Sequence, residues 1–417
     1  MISDATLRRV LPASAVKLLG DLIRWSAWGL VFVIWAAFLQ VYVRMIRLTL
    51  GDQSHSDFTI FYYTARLVAD GLPMYGVSPA RYGVAWAADH LGNLNPPHFQ
   101  LLALPLGHMS FGGALFVWVA VSLACAIGSV VLVARELEIA FSWPRLWLWG
   151  AFTISSAAFT TVAVTCELTF VLMLPFTLAW CAWRRGSWKA AGAWLGVCAS
   201  LKLFLLLVVP WLAWRRRGEA LVAFLAAVAV LVLVGVLAFG IDSYRQWLTT
   251  LGRVGWWWLP MNVSWQGFVS RVLEGGSTVA PLAAKPHLVP ILAAAGSLVI
   301  AGASLTRAAR LPAQSDHALL LLFIGAILSS PLGWVYYLPL GYGPILGWMG
   351  ASRGWDGLAR MHRAARLGVL AGIALLYVPH EITAAWQPSG LASLTIGSTY
   401  FWAALCLWIP LMTVRPR

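Results

Sequence analysis

Acidic residues are scarce in this chain. Only 15 Asp and Glu stand among 417 residues, against 29 Lys and Arg, and charged residues together make up 11%. With 60% hydrophobic residues, 25 Trp and a mean hydropathy of +0.78, too little polar surface remains to cover an ordinary soluble globule. Cysteine is sparser still, with five residues. Cys125, Cys166, Cys181, Cys198 and Cys406 lie in or beside apolar segments without ligand spacing, which excludes a disulfide framework and a zinc site and leaves small buried hydrophobes. Asp-x-Asp pairs, His/Cys clusters, a Walker loop and a dinucleotide fingerprint are absent, so no metal and no cofactor is expected. The net charge of +14 comes in short basic groups between apolar segments rather than in one stripe. It reports membrane topology, not nucleic-acid binding.

What the chain has in abundance is long apolar runs. Residues 25–48 form the first, followed by runs near 110–134, 146–163, 167–183, 219–240, 287–308, 316–329, 332–350, 366–386 and 396–414. The segment 190–214 is basic at both ends, at Arg184, Arg185 and Lys189 and again at Arg215, Arg216 and Arg217, so it is read as two short helices that enter and return, turning near Ser200-Leu201-Lys202. The expectation is an all-α polytopic membrane protein with about twelve transmembrane segments, each run being measured against the roughly 20 residues of a crossing. Residues 1–24 lack a signal-peptide pattern and are expected to stay in the cytoplasm as an N-terminal segment, with 25–414 as a single transmembrane domain and 415–417 as a cytoplasmic tail. Most Lys and Arg then fall inside. The long loops 49–98 and 241–286 share the outer face, where short amphipathic helices and the chemistry are expected.

The stretch Gly51 to Tyr75 gathers polar, acidic and aromatic residues directly after the first run. Phe58, Phe61, Tyr62, Ala65, Val68 and Ala69 recur with helical spacing, so a short helix on the membrane surface is expected, with Asp57 at its N-terminal mouth and Asp70-Gly71 at its end. Asp57 is either a helix cap or a reactive carboxylate. Lys202 stands inside an apolar segment, where a cation is costly: it either snorkels or serves a site. His55 and His98 are candidate acceptor-binding or proton-handling groups in the outer loop.

These residues carry a resemblance. Asp57-Phe58 with Tyr62-Tyr63, Gly71 and Tyr75 is similar to a stretch of the glycosyltransferase family 87 proteins. Further similar stretches follow in order: Asn95-Pro96-Pro97 with Leu101-Leu102 and Pro105; Lys202 with Pro210 and Arg215-Arg216-Arg217; Asn262, Ser264 and Gly267 before Arg271; and Ser330-Pro331 with Trp334. The resemblance spans roughly residues 50–350. It implies a GT-C membrane fold and transfer of a sugar, typically mannose, from a polyprenyl-phosphate donor to a lipid-linked or cell-envelope glycan acceptor outside the cytoplasmic (inner) membrane, with the acid at the Asp57 position as catalytic base. Two departures stand out: Tyr336-Tyr337 replaces the family's His-His pair, and Leu203 stands where Pro is usual.

Displacing a lipid phosphate from an anomeric carbon needs one base for the acceptor hydroxyl and groups that stabilise the departing phosphate. A single in-line displacement inverts the centre and needs one carboxylate, not the pair of a glycoside hydrolase. Asp57 is the candidate base. Lys202, Arg271 and Arg253 are candidates for donor-phosphate binding, the latter two being equally readable as solvated or interfacial charges. The resemblance makes Tyr62, Tyr63, Asn262, Trp334, Tyr336 and Tyr337 candidate acceptor or sugar contacts. Glu167 either hydrogen-bonds a sugar or sits at the interface, and Trp256-Trp257-Trp258 either grip substrate or belong to the aromatic belt. The alternative class is a transporter or flippase for a lipid-linked sugar, favoured by the broken segment and its Lys but opposed by the lack of a two-fold repeat in segment spacing.

Overall fold

The longest apolar runs become the long helices and carry interior glycines such as Gly128, Gly235, Gly296 and Gly302 within them. The computed structural model describes residues 13–53, 57–77, 82, 92–140, 142–277, 279–351, 354–385 and 389–414. Among them the chain is almost wholly helical, with two isolated bridges, Asn262 with Trp334 and Gly276 with Val279, and no strand. Helix α1 is Ala13–Asp52 and α2 is Asp57–Ala69; after a 3-10 turn, Pro97–Phe99, come α3, Gln100–Gly107, and α4, Phe111–Glu136. Next are α5, Trp143–Ile154, α6, Ala157–Thr165, α7, Thr169–Arg184, and α8, Trp188–Leu201. The turn Leu203–Leu207 leads to α9, Val208–Trp214, α10, Gly218–Phe239, α11, Ile241–Leu251, and α12, Trp265–Leu273. The last part holds α13, Val289–Ala309, α14, Asp316–Ser329, the turn Val335–Gly341, α15, Tyr342–Met349, α16, Asp356–Ala359, α17, Arg363–Leu375, α18, His380–Ala385, α19, Leu391–Leu394, and α20, Thr399–Thr413.

Among the described residues, five helical stretches are long and apolar enough to cross a membrane: Gly20–Gly51, Phe111–Glu136, Gly218–Phe239, Pro286–Ala309 and Leu391–Thr413. A sixth arises if α5 and α6, bent by 80°, form one broken span. The bend has a local cause, since Ser156 is extended and its hydroxyl accepts from Phe159 N–H to start α6 afresh. This is fewer than the twelve or so segments expected from sequence, because several of those runs are shorter helices. Helix α14 has 14 residues and α7 has 16, below the roughly 20 of a crossing. Their surroundings are mostly protein: His317 through Leu328 are all buried in α14, so neighbouring helices rather than lipid solvate them. The chain is thus a multi-pass membrane protein.

The segment 190–214 does break where expected. Helix α8 ends at Leu201, Lys202 is extended, and the chain comes back through the turn and α9. Its return is visible in its ends: the Trp188 and Trp211 rings are 6.2 Å apart, and Trp211 stacks on Trp183 at 4.6 Å. Two glycines seat the outward arm on α10. A Cβ on Gly192 would strike the Ala220 backbone, and one on Gly196 the Phe224 carbonyl, so the small-xxx-small pattern lets the backbones approach closely.

The expected surface helix is instead buried. In α2, Thr59, Ile60, Tyr63 and Thr64 are covered as well as the Phe58, Phe61, Tyr62 and Ala65 stripe. Helix α3 lies so close that a Cβ on Gly107 would meet the Ala65 backbone at 2.8 Å. A helix enclosed on most sides belongs to the core rather than to an interface. Helix α11 does keep a one-sided face, with Ser243, Tyr244 and Trp247 buried and Asp242 and Arg245 exposed.

Candidate active site

One end of the molecule is basic. Arg184, at the end of α7, lies 3.4 Å from Glu136 at the end of α4 and also pairs at 2.5 Å with Asp316 at the start of α14, while Arg185 pairs with Glu136 at 2.6 Å. Arg215 donates to the Ala309 carbonyl at the end of α13, and Arg307 to the Val414 carbonyl after α20. Helix α8 starts here, and its 14 residues carry the chain about 20 Å away. Lys202 is therefore at the far end.

There a cavity of about 420 Å³ opens, within the usual range for small ligands. Asp57, Glu167 and Lys202 line it together with Trp334, Tyr336 and Tyr337. The Lys202 ammonium lies 2.7 Å from Glu167 Oε1 and 5.2 Å from the centre of the Tyr337 ring, a cation held by a carboxylate and an aromatic face. Tyr337 in turn stacks on Phe204 at 4.8 Å. Trp256, Trp334 and Tyr336 stack in sequence, with centroids 5.5 and 5.7 Å apart, and make one wall aromatic.

Asp57 is the first residue of α2 and half-buried at the cavity wall. Burial foremost, then the nearby Glu167 carboxylate, push its carboxyl up from 3.8 to about 7, against the pull of the Lys202 ammonium. Such a carboxyl is poised to exchange a proton near neutral pH. Ile60 and Phe61 line the cavity beside it; they went unremarked as site residues, although their i+3 and i+4 spacing from Asp57 puts them on its face. Asn95 and Trp247 also line it. Asn95 stood in a quoted motif without a role, and nothing in the sequence marked Trp247.

Five other candidates, His98, Tyr62, Tyr63, Asn262 and Arg271, lie outside the cavity lining and bond to protein groups. His98 is buried, its Nδ1 3.0 Å from the Tyr244 hydroxyl and its Nε2 3.1 Å from the Ser200 carbonyl. The carbonyl requires Nε2–H as donor, so Nδ1 accepts, and burial lowers the imidazole to about 4. Tyr62 donates to the Met109 carbonyl at 2.9 Å and Tyr63 to Gln53. Asn262 is fully buried: its Nδ2 donates to the Trp257 and Pro331 carbonyls at 3.0 Å each, and its Oδ1 accepts from the Ser264 and Gly333 amides at 3.2 Å each. Arg271 is also fully buried, donating at 2.9 Å to Ser398 Oγ and to the Leu259 and Asn262 carbonyls, and burial lowers its guanidinium to about 9. Asn262 thus ties the Trp256–Ser264 loop to the turn carrying Trp334, where Val263 N–H donates to Gly333 O at 2.6 Å and Val335 N–H to Met261 O at 2.9 Å, and Arg271 ties the same loop to Ser398. Arg253 is exposed outside the cavity lining, and His55 lies outside the described residues.

A family model, glycosyltransferase family 87, matches residues 93–332, more than half of the chain. The chain belongs to glycosyltransferase family 87. It is a membrane glycosyltransferase. No curated protein and no solved structure matches it. The matched stretch holds Glu167 and Lys202, whereas Asp57, Trp334, Tyr336 and Tyr337 lie outside it. Folding brings both groups to one cavity.

Proposed function

We propose that this glycosyltransferase moves a hexose, mannose by the family resemblance, from a polyprenyl-phosphate donor to a glycan or glycolipid acceptor on the outer face of the cytoplasmic membrane. The observation that carries the reading is the meeting of Asp57 and Lys202 at one aromatic-walled cavity, at the end of the molecule opposite its basic cluster. Basic ends tend to face the cytoplasm, and this supports the reading of an outward-facing cavity.

The acceptor hydroxyl oxygen attacks the anomeric carbon, the bond from that carbon to the phosphate oxygen breaks with its electron pair on the phosphate, and Asp57 takes the hydroxyl proton. Lys202 supplies positive charge where the phosphate departs. The stacked Trp256, Trp334 and Tyr336 offer apolar faces to the sugar. The displacement is in line and inverts the anomeric centre.

The test is transfer of labelled mannose from polyprenyl-phosphate mannose to a lipid-glycan extract by purified protein. Wild-type transfer that disappears in folded Asp57→Asn supports the reading. Equal transfer by both proteins removes Asp57 as base, and donor binding without transfer under any acceptor supply turns the reading toward another sugar.

A further inference from the structure

We propose that Glu167 is the positioning residue of this site: it holds the Lys202 ammonium at the cavity wall and, as a second carboxylate beside that one ammonium, sets the pH at which Asp57 accepts a proton. The inference rests on the assignment of Asp57 as base.

The turn that carries Glu167 is built with some strain. Cys166 closes α6 in the left-handed region, at φ +52°, a conformation unfavourable for a non-glycine residue that persists only where the surroundings impose it. Trp118 of α4 imposes it by donating its indole N–H to the Cys166 carbonyl at 2.8 Å. Glu167, 2% exposed, then has both oxygens engaged. Oε2 accepts from the Thr169 amide at 2.6 Å and its hydroxyl at 2.5 Å, and Oε1 faces Lys202 Nζ at 2.7 Å. A carboxylate fixed this way leaves Lys202 little freedom to snorkel.

The charges do not balance. Among the described residues, Cys166 and Glu167 at the α6–α7 turn, Lys202 at the α8–α9 break, and Tyr336 and Tyr337 on the turn before α15 are the titratable groups that act on or are acted on by Asp57. One ammonium serves two carboxylates, and the one in direct contact takes most of its field. Asp57, buried and less served by that ammonium, holds its proton to higher pH than a free carboxyl does. The direction of its shift, with Glu167 the larger of its two charged causes, agrees.

Wild type, Glu167→Gln, Glu167→Gln/Lys202→Met and Asp57→Asn are compared by pH–rate profiles and by thermal melts from pH 5 to 8. Because Asp57 binds its proton more tightly folded than unfolded, its share of stability falls as pH rises toward 7. The melts therefore follow its titration without catalysis, as the difference from Asp57→Asn. In Glu167→Gln, the acid limb of the rate profile and the Asp57-dependent slope both move to lower pH, since a negative charge is gone and Lys202 is released toward Asp57. In the double variant, which removes both buried charges together, they lie between Glu167→Gln and wild type. Should Glu167→Gln not fold, the double variant falling below wild type carries the test. Limb and slope unchanged from wild type in the variants that fold overturn the inference and leave Glu167 a structural ion-pair partner. A slope that moves while Asp57→Asn stays active sinks the base assignment instead and leaves the coupling of Glu167 to Asp57 supported.

Discussion

The Arg217 guanidinium lies 4.3 Å from the centre of the Trp188 ring, so the end of the re-entrant segment returns to its beginning. Lys202 is the apex of that loop. Residues flanking it must then share one side of the membrane. With native cysteines replaced, Lys189→Cys and Arg216→Cys, both exposed positions, are expected to react alike with an impermeant thiol reagent: protected in intact cells and labelled in inverted vesicles. Labelling from opposite sides would make the segment a single crossing.

Asp57 is expected to be catalytically necessary and energetically unfavourable together. Asp57→Asn loses about 10²–10⁴ of the transfer rate, the usual contribution of a positioned base. Wild-type activity falls as pH drops below about 7, where the carboxyl takes up its proton. The sign of the stability effect is the reverse of that for a salt-bridged Asp: the folded group titrates above its ordinary 3.8, so the wild type loses stability as pH rises through the window from about 4 to 7. The Asn variant therefore melts higher than wild type at pH 8 and close to it at pH 5. A variant that melts lower at pH 8 contradicts a buried, poorly compensated carboxylate.

His98 gives the opposite trend. Its imidazole is held neutral between Tyr244 and the Ser200 carbonyl, two residues before Lys202, and titrates near 4 rather than 6.5. Between those values the unfolded chain takes up a proton that the folded one refuses, so this contribution is complete above pH 6.5 and is lost as pH falls toward 4. His98→Ala leaves the Ser200 carbonyl without its imidazole donor, while the Tyr244 hydroxyl keeps the Val232 carbonyl, at a cost of about 1–3 kcal/mol. The gap in melting temperature between wild type and variant is expected to be widest above pH 7 and to shrink on acidification. A gap independent of pH would show that His98 stabilises by packing alone.

The parts of the site legible in the sequence were the charges that burial makes costly. Asp57 and Lys202 stood out because acids and intramembrane cations are rare in this chain, and the matching basic flanks gave the return near Lys202. Helix α2 was misplaced because periodicity marks an apolar face but does not report cover on the other side: Thr59 and Thr64 resemble solvent-facing residues and are buried. Motif position was least informative for Asn262 and Arg271. Their stretches lie near the cavity in space, yet the side chains are turned into backbone carbonyls, an orientation set by contacts with residues far along the chain such as Pro331 and Ser398.

Asn262 separates those two roles by experiment. As a sugar ligand it would tolerate Asn262→Asp with a folded, weakened enzyme, because a carboxylate still hydrogen-bonds hydroxyls. In the structure its amide nitrogen donates to the carbonyls of both Trp257 and Pro331, and Asp has no donor for either when ionised. The variant brings a buried charge against two carbonyl oxygens, leaves Trp257 O without the Asn262 donor and leaves Pro331 O with the Ser264 hydroxyl alone, at a cost of about 3 kcal/mol or more. The loop bearing Trp256 and the turn bearing Trp334 then keep their two backbone bonds but lose the side-chain tie between them, so folded yield and melting temperature fall together. Size-exclusion profiles and melts of the detergent-solubilised variant check this. A monodisperse Asn262→Asp protein with wild-type melting temperature and a raised KM would return Asn262 to the substrate.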